Sequence, residues 1–206
     1  MISNPSEDEL YQGYLKRVYQ HTQGYQRYSF LQKERFASSE ICVTYGELLY
    51  PSVKRIIQCF QYLPTDVFLD LGSGLGKCAL QVFMQTDLKK VLGIEGSNSL
   101  YNQTLEVVEH VQNEMPFFWE DNRELVFTCD NFLKSDWKGA TLVYTCSTCF
   151  TKELLEAIGD RVNQEPSVRH VMSLRPLPTI KLPLKAVFNV ECSWDSALCF
   201  HYSKDV

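Results

Sequence analysis

Long apolar runs are missing from this sequence of 206 residues. No hydrophobic stretch approaches about 18 residues, the length that a membrane-spanning helix needs. The opening segment MISNPSEDEL is acidic, whereas a secretory signal peptide would be basic and then apolar. We therefore expect an intracellular protein, located in the cytoplasm, with no membrane association.

Dense blocks of basic residues are missing as well. The chain has 20 Lys and Arg against 25 Asp and Glu, and its formal net charge is −5. Proteins that bind nucleic acid without help concentrate positive charge to neutralise phosphates. The sequence therefore disfavours tight, unaided binding to nucleic acid.

The sequence has eight cysteines, but it lacks a complete set of zinc ligands at the usual spacing. Cys146 and Cys149 form one C-x-x-C pair, but no second pair and no nearby pair of histidines completes a set of four ligands. Most of the cysteines lie inside apolar strand and helix patterns, where a reduced thiol behaves as a small hydrophobic side chain. We expect eight free thiols and no metal site.

The remaining composition is that of one globular domain, with 45% hydrophobic and 22% charged residues. Residues 1–42 are predicted to form a helical cap, because Tyr11, Tyr14, Leu15 and Val18 recur at helical spacing. Residues 43–206 are predicted to form the main domain. Its first helix covers 51–62, and Pro64 is expected to end it.

Short apolar runs then alternate with amphipathic segments. Strands separated by helices indicate parallel β-α-β units and a doubly wound α/β sheet. A connection of only Asp195 and Ser196 is too short for a crossover, so residues 186–203 are predicted to form an antiparallel hairpin at the sheet edge. The predicted strands are 66–71, 90–95, 125–129, 141–146 and 168–173, and the helices between them are 76–86, 98–114 and 151–162.

The segment VFLDLGSGLGK (67–77) joins a buried strand to a helix through Gly72, Gly74 and Gly76. Glycines at such a turn let the backbone approach a bound ligand closely. The glycine spacing also fits a nicotinamide dinucleotide, with Glu95 as the acidic residue about 20 positions on. The glycines alone leave both cofactor classes open.

Asp70 separates the two classes. A carboxylate just before the glycines would repel a pyrophosphate, but it attracts the cationic amino acid end of S-adenosylmethionine (SAM). Glu95, at the end of the next strand, is placed to accept hydrogen bonds from both ribose hydroxyls. Five parallel strands and a terminal hairpin give the seven-stranded, Rossmann-like sheet of a class I SAM-dependent methyltransferase.

Several segments together resemble the Dot1-type protein lysine methyltransferases. The match includes the glycine loop and continues in order along about residues 43–204. The further segments are VTYGELLYPSVKRII (43–57), NFLKSDW (131–137), LVYTCSTCFTKELLEAI (142–158), SLRP (173–176) and VECSWDSALCFHYSK (190–204).

The resemblance implies a role for individual residues. Asn131 and Phe132 would flank the adenine of SAM, and an aromatic face beside a purine adds about 1 kcal/mol. Tyr45, Gly46 and Glu47 would lie near the methionine end, and Tyr45 and Ser147 are the candidate catalytic residues. The loop under the cofactor would comprise Asp70, Gly72, Ser73, Gly74, Gly76 and Lys77.

Two departures from the family pattern concern the acceptor. Ser147 stands where the Dot1 lysine enzymes have an asparagine at the mouth of the target channel, and no basic extension for nucleosomal DNA is present. We therefore expect the acceptor to be a lysine on a protein outside the nucleosome, in a channel formed by Tyr45, Ser147, Phe150 and Trp194. The alternatives are a small-molecule or RNA methyltransferase on the same fold, and a SAM-binding interaction module without catalytic activity.

Overall fold

A computed structural model describes residues 6–20 and 47–204 of the chain. Within these ranges the helices and strands alternate as the sequence predicts. The helices are α1 (Glu7–Val18), α2 (Tyr50–Phe60), α3 (Lys77–Gln85), α4 (Asn98–Glu114) and α5 (Lys152–Gln164), with a short 3-10 helix at Pro116–Trp119. The strands are β1 (Val67–Leu71), β2 (Lys90–Glu95), β3 (Glu124–Cys129), β4 (Leu142–Thr145), β5 (His170–Ser173), β6 (Leu184–Glu191) and β7 (Ser196–Ser203).

The strands form one seven-stranded sheet in the order β3-β2-β1-β4-β5-β7-β6. Strands β1 to β5 are parallel to one another. Strand β7 is antiparallel to both β5 and β6, which confirms the terminal hairpin. The chain order reverses between β1 and β4, and the carboxyl ends of the strands at such a reversal are where doubly wound sheets bind ligands.

Both faces of the central strands are covered. Phe68 and Tyr144 lie in a core that includes residues of α1, α2, α3 and α4, whereas Leu69 and Val143 lie in a second core with residues of α5. Strands buried on both faces need apolar residues at nearly every position. In β1 the exception is Asp70, a buried carboxyl group.

Several predicted boundaries differ from the structure by one or two residues, and two of these differences have a visible cause. Helix α2 ends at Phe60, because Gln61 adopts a left-handed conformation with φ of 48°, so the helix stops before Pro64 is reached. The hairpin turn is longer than two residues: β6 ends at Glu191, and the Cys192 N–H donates to the Asp195 carbonyl at 2.8 Å. The extra turn residues pair with another part of the chain, described below.

The described part of the predicted cap consists of α1 and the turn that follows it. Ser6 and Glu9 form a capping box at its start, and Tyr14 and Leu15 are buried in the first core. The Lys54 ammonium group of α2 pairs with Asp8 at 2.7 Å, so α1 also makes polar contact with the domain. The predicted boundary after residue 42 lies outside the described residues and stays a prediction.

Candidate cofactor and acceptor site

The loop between β1 and α3 turns sharply through its three glycines. Gly72, Gly74 and Gly76 have φ values of 76°, 57° and 73°. Residues other than glycine rarely adopt this left-handed conformation. A β-carbon on Gly76 would lie 2.7 Å from both the Phe127 ring and the Thr104 methyl group. Another residue would therefore strain the backbone of this loop, and at Gly76 its side chain would also overlap with Phe127 and Thr104.

Glu95 holds this loop from the end of β2. One carboxylate oxygen accepts from the Gly74 N–H at 2.8 Å, and the other accepts from the Ser97 N–H at 2.7 Å. Burial raises the pKa of Glu95, and the N–H groups of Ser97 and Gly74 oppose that rise. Each oxygen has a second lone pair, so the carboxylate can accept ribose hydroxyls as well.

Asp70 lies beneath the same loop and is only 2% exposed. Burial, with the neighbouring charge of Glu95, raises the pKa of Asp70 to about 8. Within the described residues the Asp70 carboxyl group forms no salt bridge. A buried carboxyl group without a neighbouring cation is suited to receive one from a ligand.

Lys77 is engaged by a different acid. Its ammonium group pairs with Glu47 and lies 5.0 Å from the centre of the Tyr19 ring. Burial raises the pKa of Glu47, and Lys77 opposes that rise. The positive charge nearest the glycine loop is thus directed to Glu47, on the segment that precedes α2.

The segment that carries Glu47 is held by the turn of the β6–β7 hairpin. The Ser193 N–H donates to the Glu47 carbonyl at 2.8 Å, and the Leu49 N–H donates to the Glu191 carbonyl at 2.9 Å. Leu48 and Cys192 form an isolated β-bridge between the same segments. This link between residues 47–49 and 191–193 was not predicted, because no local pattern connects segments so far apart.

Phe132 and Phe150 stack beside the glycine loop, with ring centroids 6.1 Å apart and planes inclined by 23°. A β-carbon on Gly72 would lie within 4.0 Å of both rings. Asn131 uses its side-chain oxygen to accept from the Leu133 N–H at 2.9 Å. Phe150, predicted for the acceptor channel, therefore also borders the side predicted for adenine.

Asp130 is a polar residue of this edge that the sequence interpretation missed. It directly follows β3, and its carboxylate accepts from the Ser135 hydroxyl at 2.8 Å and from the Asn131 N–H at 2.7 Å. These bonds, that of Ser135 first, lower the pKa of Asp130. The signal in the sequence was its position, because Asp130 follows a predicted strand just as Asp70 and Glu95 lie at the ends of theirs.

Ser147 is completely buried at the carboxyl end of β4. Its hydroxyl lies 2.7 Å from the Ser173 hydroxyl and accepts from the Arg175 N–H at 3.0 Å. Arg175 in turn donates to the Phe150 carbonyl. The Ser147 side chain thus joins the ends of β4 and β5, and its predicted role beside the acceptor stays a prediction.

The other predicted acceptor residues lie in different surroundings. Trp194 is 45% exposed in the hairpin turn. Cys146 is partly buried and Cys149 is exposed, and the cysteines within the described ranges all carry free thiols. Cys42, Tyr45 and Gly46 lie outside those ranges.

The residues present fit SAM. The glycine turn lets a ligand approach the backbone closely. Asp70 can pair with the cationic end of that ligand, and Glu95 can accept hydrogen bonds from its hydroxyls. The Ser73 hydroxyl is a further buried group of the loop that makes no hydrogen bond within the described residues. Unpartnered buried polar groups are rare and mark places where a ligand or water completes the bonding.

Comparison with known proteins agrees with this geometry. The profile of the family described as "Histone methylation protein DOT1" matches residues 18–190. A histone-lysine N-methyltransferase specific for H3 lysine 79 from Dictyostelium discoideum is 28% identical over 115 residues, which cover 53% of this chain and 6% of that protein. Its counterpart from Caenorhabditis elegans is 27% identical over 127 residues, covering 59% of this chain and 13% of that protein. The matches thus span only a small part of these relatives.

Solved structures show the same fold at low sequence identity. Magnesium protoporphyrin IX methyltransferase from Synechocystis, crystallised with SAM, has a TM-score of 0.59 at 10% identity and covers 99% of this chain and 100% of that one. An RNA methyltransferase from Salinibacter ruber, in complex with S-adenosylhomocysteine, has a TM-score of 0.55 at 15% identity. This match covers 76% of this chain and 93% of that one. Because the family profile extends over most of the chain, this protein belongs to the DOT1 family and has the fold of class I SAM-dependent methyltransferases.

Proposed function

We propose that this protein transfers a methyl group from SAM to the side-chain nitrogen of a lysine on another protein. The observation that carries the proposal is the arrangement of Asp70 and Glu95 around the glycine loop, in a chain of the DOT1 family. Two buried acids accept a cation and a pair of hydroxyls, which is the polarity of SAM and not that of a dinucleotide.

The residues of this chain position the reactants. When bound, SAM would supply a methyl group bonded to a positively charged sulfur, which departs as a neutral thioether and needs no further activation. Asp70 attracts the ammonium group, Glu95 binds the ribose, and Phe132 with Asn131 flanks the adenine. Lys77 holds Glu47 and with it the segment that leads to Tyr45 and Gly46. Orientation of this kind contributes most of the rate enhancement when neither acid nor metal is needed.

The acceptor lysine has to arrive without its proton, because an ammonium has no free electron pair. An exposed lysine has a pKa of about 10.4, and burial in an apolar channel lowers that pKa. Phe150 and Trp194 can form the apolar walls, together with Tyr45. Ser147 acts as a positioning residue, because its hydroxyl holds the ends of β4 and β5 in register instead of facing solvent.

The proposal also specifies which kind of protein carries the acceptor lysine. The names of the curated relatives specify lysine 79 of histone H3. The net charge of −5 instead supports a protein outside the nucleosome, because nucleosomal DNA favours positive surfaces. The non-nucleosomal acceptor therefore stays a prediction, to be tested against histones directly.

The test is incubation of the purified protein with methyl-labelled SAM and each of four acceptors: fractionated cell lysate, intact nucleosomes, free histones, and RNA. Asp70→Asn provides the control with a weakened cofactor site. We expect label on lysine in a protein fraction of the lysate, with labelling that varies little with salt. Label on nucleosomes would refute only the prediction that the acceptor lies outside the nucleosome. Label in RNA or small molecules, or SAM binding without turnover, would refute the proposed function.

A further inference from the structure

Asp70 and Tyr144 are neighbours beneath the glycine loop. They are directly paired residues of the parallel strands β1 and β4. Paired residues of adjacent strands direct their side chains to the same face, with backbones about 5 Å apart. Each is only 2% exposed, so both polar groups are removed from water.

The Tyr144 hydroxyl is a buried group without a hydrogen-bond partner in the described part of the chain. Its neighbour Cys146 does not change that. Burial raises the pKa of the Cys146 thiol to about 12 and the Tyr144 hydroxyl opposes that rise, but a thiol is a weak acceptor and no well-formed bond joins the two. Phenylalanine would fill the same space without the cost of burying a hydroxyl.

Within the described ranges, the titratable groups around Asp70 form no salt bridge with it. Glu95 approaches from β2 and carries the same charge as an ionised Asp70. Cys78 on α3 is a buried thiol whose pKa burial and the charge of Asp70 both raise. Lys77, also on α3, pairs with Glu47. Among these groups Tyr144 is the one hydrogen-bond donor of full strength on the same face of the sheet.

We propose that Tyr144 is a positioning residue for SAM, acting by donating a hydrogen bond to the Asp70 carboxylate when that carboxylate pairs with the ammonium group of the methionine end. The inference rests on the proposed function of the same site. In the free protein the raised pKa of Asp70 favours its protonated form at neutral pH, and the Tyr144 hydroxyl has no hydrogen-bond partner among the described residues. On binding, the Asp70 proton passes to solvent, and the carboxylate gains two partners, the ammonium and the Tyr144 hydroxyl.

The test compares three ligands by isothermal titration calorimetry between pH 6 and 7. SAM and S-adenosylhomocysteine both carry the ammonium group, and methylthioadenosine lacks the whole amino acid end. For the wild type we expect affinity for the first two to rise nearly tenfold over this pH unit, with release of almost one proton per ligand, because each proton displaced contributes a factor of ten per pH unit. Affinity for methylthioadenosine should not change.

Tyr144→Phe removes only the hydroxyl. We expect it to weaken SAM and S-adenosylhomocysteine about three- to tenfold, in line with one hydrogen bond to a charged group, and to leave methylthioadenosine unchanged. In an Asp70→Asn background the same substitution should have little further effect. Tyr14→Phe is the matched control, because its hydroxyl is also buried and makes no well-formed hydrogen bond within the described residues, but it lies on α1, near Glu114.

Three results would overturn the inference: unchanged binding of SAM by Tyr144→Phe, an equal loss for methylthioadenosine, or a full additional loss in the Asp70→Asn background. The last two would indicate a packing role for Tyr144. Absence of SAM binding by the wild type at every pH would instead overturn the proposed function, and the inference with it.

Discussion

Glu95 and Gly74 are joined by a hydrogen bond of 2.8 Å from the glycine N–H to the carboxylate. The bond fastens the middle of the glycine loop to the end of β2. The predicted ribose ligand is therefore also a structural support of the loop. A substitution that removes the carboxylate has to be judged for both effects.

Glu95→Gln should weaken SAM binding about 10- to 100-fold, because the amide keeps one acceptor oxygen and presents an N–H to the backbone N–H of either Gly74 or Ser97. The measurement is the dissociation constant from calorimetry, with circular dichroism to verify the fold. Glu124→Gln is the control, since that exposed acid pairs with Lys90 at the opposite end of the strands. Unchanged affinity in Glu95→Gln would show that another residue holds the ribose.

Gly76→Ala should lower the free energy of unfolding by about 3 kcal/mol. A left-handed conformation costs an ordinary residue about 1 kcal/mol, and the overlap with Phe127 and Thr104 adds the rest. Gly139→Ala separates the two contributions, because Gly139 has a similar φ of 75° but no atom within 4 Å of the new β-carbon. Urea unfolding measures both, and equal losses would contradict the packing argument.

Ser147→Ala should reduce turnover more than it reduces SAM affinity, as expected for a residue that acts on the acceptor side. If Ser147 acts through the 2.7 Å contact with Ser173, then Ser173→Ala should have a similar effect and the double variant should be little worse. Steady-state kinetics on the labelled fraction, with SAM affinity measured separately, test this. A much larger effect of Ser147→Ala than of Ser173→Ala would place the Ser147 hydroxyl in direct contact with the acceptor.

His170 and His201 form a buried pair, with ring nitrogens 3.0 Å apart, that joins β5 to β7. Burial, with contributions from His170 and Lys185, lowers the pKa of His201 to about 4. At His201 the unfolded chain thus binds more protons than the folded one between about pH 6.5 and pH 4, so the contribution of His201 to stability falls with acidification across that window by up to about 1.4 kcal/mol per pH unit. The raised pKa of Asp70 acts in the opposite direction in the same window, so the comparison is made in an Asp70→Asn background. Urea unfolding at pH 7 and pH 5 should show this loss.

His201→Gln should reduce the difference in stability between pH 7 and pH 5, because glutamine does not titrate in this range. His110→Gln is the matched control, as His110 is largely exposed on α4. The prediction fails if the Asp70→Asn parent is equally stable at both pH values, or if His110→Gln removes the difference as well.

The sequence by itself determined the repeating strand-helix order, the glycine turn and the acids at the ends of β1 and β2. These features are local: the periodicity of apolar residues distinguishes strands from helices, and glycine is required where φ is positive. The predicted bounds of β2 and α4 agree with the structure to the residue. Gln61 shows the limit, because a single left-handed residue ended α2 where the apolar pattern continued.

Tertiary structure alone decided which of these local features meet. Asp70 and Tyr144 are 74 residues apart and Glu47 and Ser193 are 146 apart, and no periodicity relates such positions. The same holds for Ser147, which the sequence placed beside the acceptor channel without indicating that its hydroxyl would contact Ser173. A pattern of apolar residues specifies that a side chain faces the core, but its partner there depends on strand order and on how the long-range segments pack, which only the folded chain establishes.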